Sequence, residues 1–169
     1  KGGGTAVSFT NSTVCMAANL SATITGVQNA NYAQEVTYKF INLADNSESA
    51  STIVTVPAGT ANTLLLNVAA PSAAGNYFLV ITGMYIADCG TGTNLFNNFT
   101  VSTNPVVGTP TVVQPSCANQ MGTISIAATA GFMYSFDGGE SFGTSNSSES
   151  LAADSYIVLV KNASGCQSE

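Results

Sequence analysis

The sequence predicts an all-β fold, arranged as two tandem immunoglobulin-like β-sandwich modules of which the second is short. Short runs of apolar or alternating residues recur about every ten residues, with turn residues between them. Helical periodicity is hard to find along the chain. The four Cys residues of this polar, Thr-rich and Val-rich sequence further predict one disulfide in each module.

The first module, residues 1–104, contains seven predicted strands, the number found in an immunoglobulin-like sandwich. One strand places Val36, Tyr38 and Phe40 on one face and Thr37, Lys39 and Ile41 on the other, as expected of a half-buried strand. The β-rich run that starts at Asn76 is predicted to be central in its sheet. The predicted strands are Ala6–Thr10, Leu20–Val27, Val36–Leu43, Ser51–Val56, Thr63–Val68, Asn76–Tyr85 and Phe96–Val101.

A connector and a smaller module follow. Residues 105–110 are bounded by Pro105 and Pro110, and proline favours extended backbone, so we expect a semi-rigid linker. The second module, residues 111–169, is short enough to bury little surface on its own. Its predicted strands are Gly122–Ala128, Met133–Phe136, Ser150–Leu151 and Ser155–Asn162.

The composition argues against several classes of function. Charged residues make up 7% of the chain and the net charge is -6, so no basic patch is available for nucleic acid. His is absent and the carboxylates are scattered, so we predict no enzyme activity, no catalytic residue and no cofactor. No apolar run reaches the length of about 18 residues that spans a bilayer, so membrane insertion is not expected.

The cysteines indicate an oxidising compartment and a secreted protein. Four Cys permit three pairings, and the pairing that keeps each bond within one module joins Cys15 to Cys89 and Cys117 to Cys166. The chain-entropy model gives roughly 4 kcal/mol for each of these loops. We expect the chain to be an internal segment whose export signal and anchor lie elsewhere.

The second module carries an ordered set of motifs. They are Cys117, Gly122-Thr123-Ile124-Ser125-Ile126, Tyr134-Ser135-Phe136-Asp137-Gly138-Gly139-Glu140-Ser141-Phe142, Leu151-Ala152-Ala153-Asp154-Ser155-Tyr156 and Gly165-Cys166. This set resembles the SprB repeat, a unit of giant surface adhesins of gliding Bacteroidota. Asp154 stands where that family often has Gly, and Asn162 where it often has Asp. Through Cys15, Tyr38, Ala74-Gly75-Asn76-Tyr77 and Ile86-Ala87-Asp88-Cys89-Gly90, the first module is similar in outline to longer immunoglobulin-like domains of the same proteins.

The resemblance implies a structural and adhesive repeat segment of a large cell-surface filament, used in surface attachment and gliding motility. It implies export by the type IX secretion system and a location on the bacterial cell surface. The implied partners are neighbouring repeat modules of the same chain, surface polysaccharide, and the secretion or gliding machinery. Two alternatives stay open: a carbohydrate- or ligand-binding β module of an exported protein, and a pilin-like filament subunit.

The segment from Ser135 to Phe142 also resembles the Asp-box hairpin of sialidase-like propellers. We predict a structural hairpin in which Asp137 accepts backbone hydrogen bonds and the glycines supply positive φ. The alternative is a calcium site at Asp137 and Glu140, but two carboxylates supply few of the oxygens that calcium needs. No metal site is therefore predicted.

Lys39 and the aromatic residues are the remaining candidates. Lys39 is predicted to point outward and protect a strand edge, the alternative being an isopeptide bond assisted by Glu35. Core or inter-module packing is preferred over sugar stacking for six aromatic residues, and the scattered carboxylates are expected to be solvated in loops. The aromatic residues are Phe96, Phe99, Phe132, Tyr134, Phe136 and Phe142, and the carboxylates are Glu35, Asp45, Glu48, Asp88, Glu149 and Asp154.

Overall fold

The computed structural model describes residues 5–27, 32–59, 62–86, 89–91 and 95–168, with the backbone alone at residues 85–86 and 89–91. The described chain is all-β, as the sequence predicts. No helix in these ranges is long and apolar enough to cross a membrane. The chain divides into two compact units, Lys1–Ser102 and Thr103–Glu169, here called unit 1 and unit 2.

Unit 1 is a sandwich of two sheets. One sheet has the order β1-β3-β6, and the other has the order β2-β9-β7-β4-β5, with β8 also paired to β7. All neighbouring strands are antiparallel except β2 and β9. The strands are β1 Ala6–Phe9, β2 Thr13–Cys15, β3 Asn19–Thr25, β4 Gln34–Asn42, β5 Thr52–Val56, β6 Thr63–Ala69, β7 Gly75–Ile86, β8 Cys89–Thr91 and β9 Leu95–Ser102.

The core of unit 1 lies between these sheets, because alternate residues of each strand point inward. Val36, Tyr38 and Phe40 of β4 are buried, which confirms the faces predicted for that strand. The β7 strand is central, as predicted, because it pairs with β4 on one side and β9 on the other. Inward residues of the opposite sheet complete the core, and those of β3 and β6 are Leu20, Ala22, Ile24, Leu64, Leu66 and Val68.

Unit 2 has shorter strands joined by isolated bridges. In one sheet β11 pairs with β10, and residues 147–151 lie along its other side through the bridges Gly122↔Leu151 and Ser125↔Ser147. In the other, β12 pairs with β13, residue 143 bridges to β12 and residue 167 to β13. The strands are β10 Thr111–Val113, β11 Thr123–Ser125, β12 Met133–Ser135 and β13 Leu159–Lys161.

The two units have the same strand order. If the strand segments of unit 2 are numbered from one to seven along the chain, its sheets read 1-2-5 and 4-3-6-7. When β2 and β8 are left out and the other seven strands of unit 1 are numbered from one to seven along the chain, its two sheets give the same orders. Unit 2 is therefore an abbreviated immunoglobulin-like unit. Its smaller core consists of Ile126, Tyr134 and Val160, with Val107, Phe132, Phe136 and Val158 packed against them.

Several predicted strands of unit 2 are longer than those observed. Of the predicted strand Ser155–Asn162, only Leu159–Lys161 is a strand. Of Gly122–Ala128, only Thr123–Ser125 is a strand. Three strands were not predicted at all, namely β2, β8 and β10, and each has three residues.

The predicted bond between Cys117 and Cys166 is wrong, because Cys117 is an exposed free thiol. Cys15 and Cys166 are each disulfide-bonded. Cys117 lies in the connection between β10 and β11, whereas Cys166 follows β13 in the other sheet of unit 2. The side chain of Cys89, the predicted partner of Cys15, lies outside the described residues.

The residues predicted as a linker belong to unit 2. Val107 packs against the cluster of Ile126, Tyr134 and Val160, so at least this residue of the segment contributes to the core of the unit. The division of the chain falls between Ser102 and Thr103. The sequence prediction places it between residue 104 and residue 111.

Candidate functional site

The hairpin that follows β12 is organised around the carboxylate of Asp137. Asp137 accepts hydrogen bonds from the hydroxyl groups of Ser135 and Ser141 and from the backbone N–H of Ser141. The Ser135 hydroxyl in turn accepts the backbone N–H of Gly139 at 2.8 Å. These donors stabilise the ionised carboxylate, so the hydroxyls of Ser135 and Ser141 hold the pKa of Asp137 well below its usual range.

Two glycines make this hairpin possible. Gly138 has φ of 77° and Gly139 has φ of 96°, in the left-handed region that side chains disfavour. A Cβ on Gly139 would also lie 3.1 Å from Leu159 Cδ1. The hairpin therefore has the predicted structure, with Asp137 accepting a backbone hydrogen bond and both glycines at positive φ.

The hairpin is a poor site for a cation. The oxygens of Asp137 already accept hydrogen bonds from Ser135 and Ser141, while Glu140 is exposed. Within the ranges that the structure describes, no group of three or more His, Cys, Asp or Glu side chains is placed to hold a metal ion. The geometry supports a hairpin that orders its own backbone.

Lys39 lies on the outer face of the larger sheet of unit 1 and forms an ion pair with Glu48. Its side chain is 22% exposed, and its strand β4 lies between β5 and β7. The prediction that Lys39 protects a sheet edge is therefore wrong, because β4 is an interior strand. Glu35, proposed as an isopeptide catalyst, is an exposed residue of the same strand.

The carboxylates do not converge in the described part of the chain. Glu48, Asp45, Glu149 and Asp154 are exposed outside the named strands, as predicted, and Asp88 lies outside the described residues. The hydroxyl and backbone N–H of Ser47 donate to Asp45 and lower the pKa of its carboxyl. These bonds form a local turn at Asp45, and in the described ranges no second carboxylate clusters with it.

Four of the six aromatic residues pack in the cores of the units, whereas Phe142 and Phe96 do not. Phe99 and Tyr134 are buried, and Phe132 and Phe136 pack against the core of unit 2. Phe142 lies under the ammonium group of Lys161, 3.8 Å from its ring centroid. Phe96 is 65% exposed and packs edge-on against Phe78. The core interpretation therefore fails for Phe96.

Two tyrosines, whose sequence motifs were noted but whose hydrogen bonds were not predicted, close the two units in the same way. The hydroxyl of Tyr77 donates to the carbonyl of Ala73 at 3.0 Å, and that of Tyr156 donates to Ala152 at 3.2 Å. Each tyrosine follows the fifth strand segment of its unit, the position of the tyrosine corner of immunoglobulin-like domains. The repeated pattern Ala-Ala-x-x-Tyr is the sequence signal that could have revealed them.

No protein-family model matches the chain, and no curated protein is significantly similar to it.

Proposed function

We propose that the chain is a structural and adhesive repeat segment of a large secreted adhesin filament on a bacterial cell surface, used in attachment and gliding motility. The observation that carries the proposal is the repetition of one unit. Both units have the sheet orders 1-2-5 and 4-3-6-7, and both place a tyrosine corner after the fifth segment. Tandem copies of one closed unit are the usual construction of long repeat proteins.

The oxidised cysteines of the chain support an exported protein. Cys15 and Cys166 are both disulfide-bonded, and disulfides persist mainly in oxidising environments such as the outside of a cell. The surface is also solvated mainly by Ser, Thr, Asn and Gly, since charged residues make up only 7% of the chain. The resemblance of unit 2 to the SprB repeat adds type IX export, neighbouring repeats and surface polysaccharide to the proposal.

Each unit supplies its own last strand segment, and this feature distinguishes the chain from a pilin-like subunit. In unit 1, β9 pairs with β7 over seven residues, and in unit 2 residue 167 bridges to β13. A subunit that assembles by strand donation lacks such a segment and receives it from its neighbour. The pilin-like alternative is therefore disfavoured.

Immunogold electron microscopy of intact cells tests this proposal. Antibodies raised against the chain would be applied to the producing bacterium and to a strain with an in-frame deletion of the segment. We expect gold particles on filaments outside the outer membrane of the parent only, together with weaker attachment and gliding of the deletion strain. Labelling that requires permeabilised cells would overturn the proposal.

A further inference from the structure

A pocket of about 390 Å³ opens at one end of unit 1. We call it the end pocket. It lies between the end of β4, the turn at residues 47–49 and the connection from β6 to β7. Its lining includes Phe40, Asn42, Glu48, Pro71, Ser72 and Tyr77.

The floor of the end pocket is apolar and fixed. Phe40 and Tyr77 both pack against the buried ring of Phe99, with ring centroids 5.7 and 5.9 Å apart. The hydroxyl of Tyr77 is held by Ala73, and Pro71 adds a rigid ring. The pocket is therefore formed before any ligand binds, which lowers the entropic cost of binding.

The rim of the end pocket is polar, and part of its hydrogen-bonding capacity is unused. Ser47 and Ser49 donate their hydroxyls to Asp45 and to the Ala50 carbonyl. The side-chain oxygen of Asn42 accepts the N–H of Ala44. In the described part of the chain, no hydrogen bond uses the Asn42 amide nitrogen, the Ser72 hydroxyl or the Oε1 atom of Glu48.

Glu48 presents an oriented acceptor at this rim. Lys39 donates to its Oε2 atom, which fixes the carboxylate and leaves the Oε1 atom available. Together with the Asn42 amide and the Ser72 hydroxyl, the rim therefore offers an acceptor, a donor and a group that does both. Two adjacent hydroxyl groups of one ligand match this set.

We infer that the end pocket binds a single neutral hexopyranose unit of a polysaccharide. A pyranose ring has an apolar C–H face for the floor and hydroxyls that donate and accept at the rim, and its size suits a pocket of this volume. An anionic ligand would meet Glu48 in a chain of net charge -6. A purely apolar ligand would contact the floor but use none of the hydrogen-bonding groups of the rim. This site specifies the surface polysaccharide of the proposed function and rests on that proposal for the source of its ligand, whereas binding of a free hexoside can be measured independently of it.

Titration of the ¹⁵N-labelled full chain tests the inference. Methyl pyranosides of the gluco, galacto and manno configurations would be added separately while amide chemical shifts are recorded. We expect at least one to give saturable shifts at residues 42, 48 and 72, with a Kd of about 1–10 mM, typical of one small polar ligand. If none of the three shifts these residues saturably, the inference is wrong.

Two variants separate the rim contact from the ion pair. We expect Glu48→Gln to weaken hexoside binding about tenfold, because the hydrogen bond to a charged acceptor becomes a weaker bond to a neutral one. Lys39→Gln breaks the same ion pair but keeps the Glu48 carboxylate. The Kd of this variant for the hexoside should therefore differ from that of the unmodified chain by less than about threefold. Equal weakening by both variants would contradict a direct contact between Glu48 and the sugar.

A second pair of variants tests the location. Ser72→Tyr places a ring at the mouth of the end pocket and should abolish the saturable shifts. The matched control is Ser8→Tyr, since Ser8 is an exposed residue of β1 in the opposite sheet. Amide spectra of both variants establish that they are folded. Undiminished binding by folded Ser72→Tyr would place the sugar elsewhere and overturn the inference.

Discussion

Individual side chains close the two units in matching positions. Tyr77 and Tyr156 each donate a hydroxyl hydrogen bond to the carbonyl four residues earlier, so each fixes the chain where it crosses from one sheet to the other. Asp137 orders its hairpin in a comparable way through the hydroxyls of Ser135 and Ser141. Residues 135–142 were predicted to form such a hairpin, whereas the tyrosine bonds depend on loop geometry that the sequence pattern does not specify.

Tyr77→Phe removes one of these hydrogen bonds without opening a cavity. We expect the free energy of unfolding to fall by about 1 kcal/mol, measured by urea denaturation, because the Ala73 carbonyl loses its partner. Tyr38→Phe is the matched control, since Tyr38 is also a buried core residue but its hydroxyl makes no hydrogen bond in the described part of the chain. Equal losses for the two variants would contradict a specific contribution of the Tyr77 bond.

Asp137 should make the stability of unit 2 depend on pH. Hydrogen bonds from Ser135 and Ser141 lower the pKa of the carboxyl in the folded state, so the unfolded chain binds more protons as the pH falls below about 4. The stabilisation is thus complete at neutral pH and decreases in acid. We expect Asp137→Asn to lower the urea midpoint at pH 7 and to flatten its decline between about pH 4 and pH 2.

Glu140→Gln is the control for this pH profile. It makes the same change of charge at an exposed residue of the same hairpin but leaves the bonds of Asp137 intact. The account is contradicted if Asp137→Asn and Glu140→Gln give the same midpoints across this pH range.

Strands with strong alternation could be predicted from the sequence, and strands of three residues could not. All seven predicted strands of unit 1 are present, because their inward side chains repeat every second residue against one core. The strands β2, β8 and β10 are too short to show a period. In unit 2 the predicted strands extend beyond the observed ones, because turns interrupt apolar runs that look continuous in the sequence.

Neighbouring residues of β6 test the inward and outward faces of the sandwich. Leu64 is fully buried, whereas Leu65 is 55% exposed. We expect Leu64→Ala to lower the free energy of unfolding by about 2–5 kcal/mol, because it leaves a cavity between the sheets. Leu65→Ala should cost less than about 1 kcal/mol. Similar costs for the two variants would mean that the register of β6 is wrong.

Gly122 tests the pairing of β10 with β11. A Cβ at this position would lie 2.6 Å from the carbonyl oxygen of Val113, so the two strands would have to separate. We expect Gly122→Ala to destabilise unit 2 by about 1–3 kcal/mol, measured by hydrogen exchange of its amides. Gly143→Ala is the control, because nothing lies within 4 Å of its Cβ. If Gly122→Ala leaves the stability of unit 2 unchanged, the pairing of β10 with β11 is contradicted.

At the scale of the whole molecule, the sequence predicts two immunoglobulin-like units but not how the cysteines pair. Each bond was predicted to lie within one module, whereas Cys117 is a free thiol and Cys166 is disulfide-bonded without it. Four Cys permit three pairings, and only the positions of the strands choose among them. The end pocket was missed for a similar reason, since its residues come from three separate stretches of unit 1.

The repeated strand order is the central claim, and long-range backbone NOEs of the ¹³C,¹⁵N-labelled chain test it most directly. We expect cross-strand NOEs of Val112 with Ile124, of Gly122 with Leu151, of Tyr134 with both Gly143 and Val160, and of Lys161 with Gln167, which together give the orders 1-2-5 and 4-3-6-7. NOEs that pair β11 with β12 would instead make unit 2 a meander, and the proposal of a tandem repeat would lose its main support.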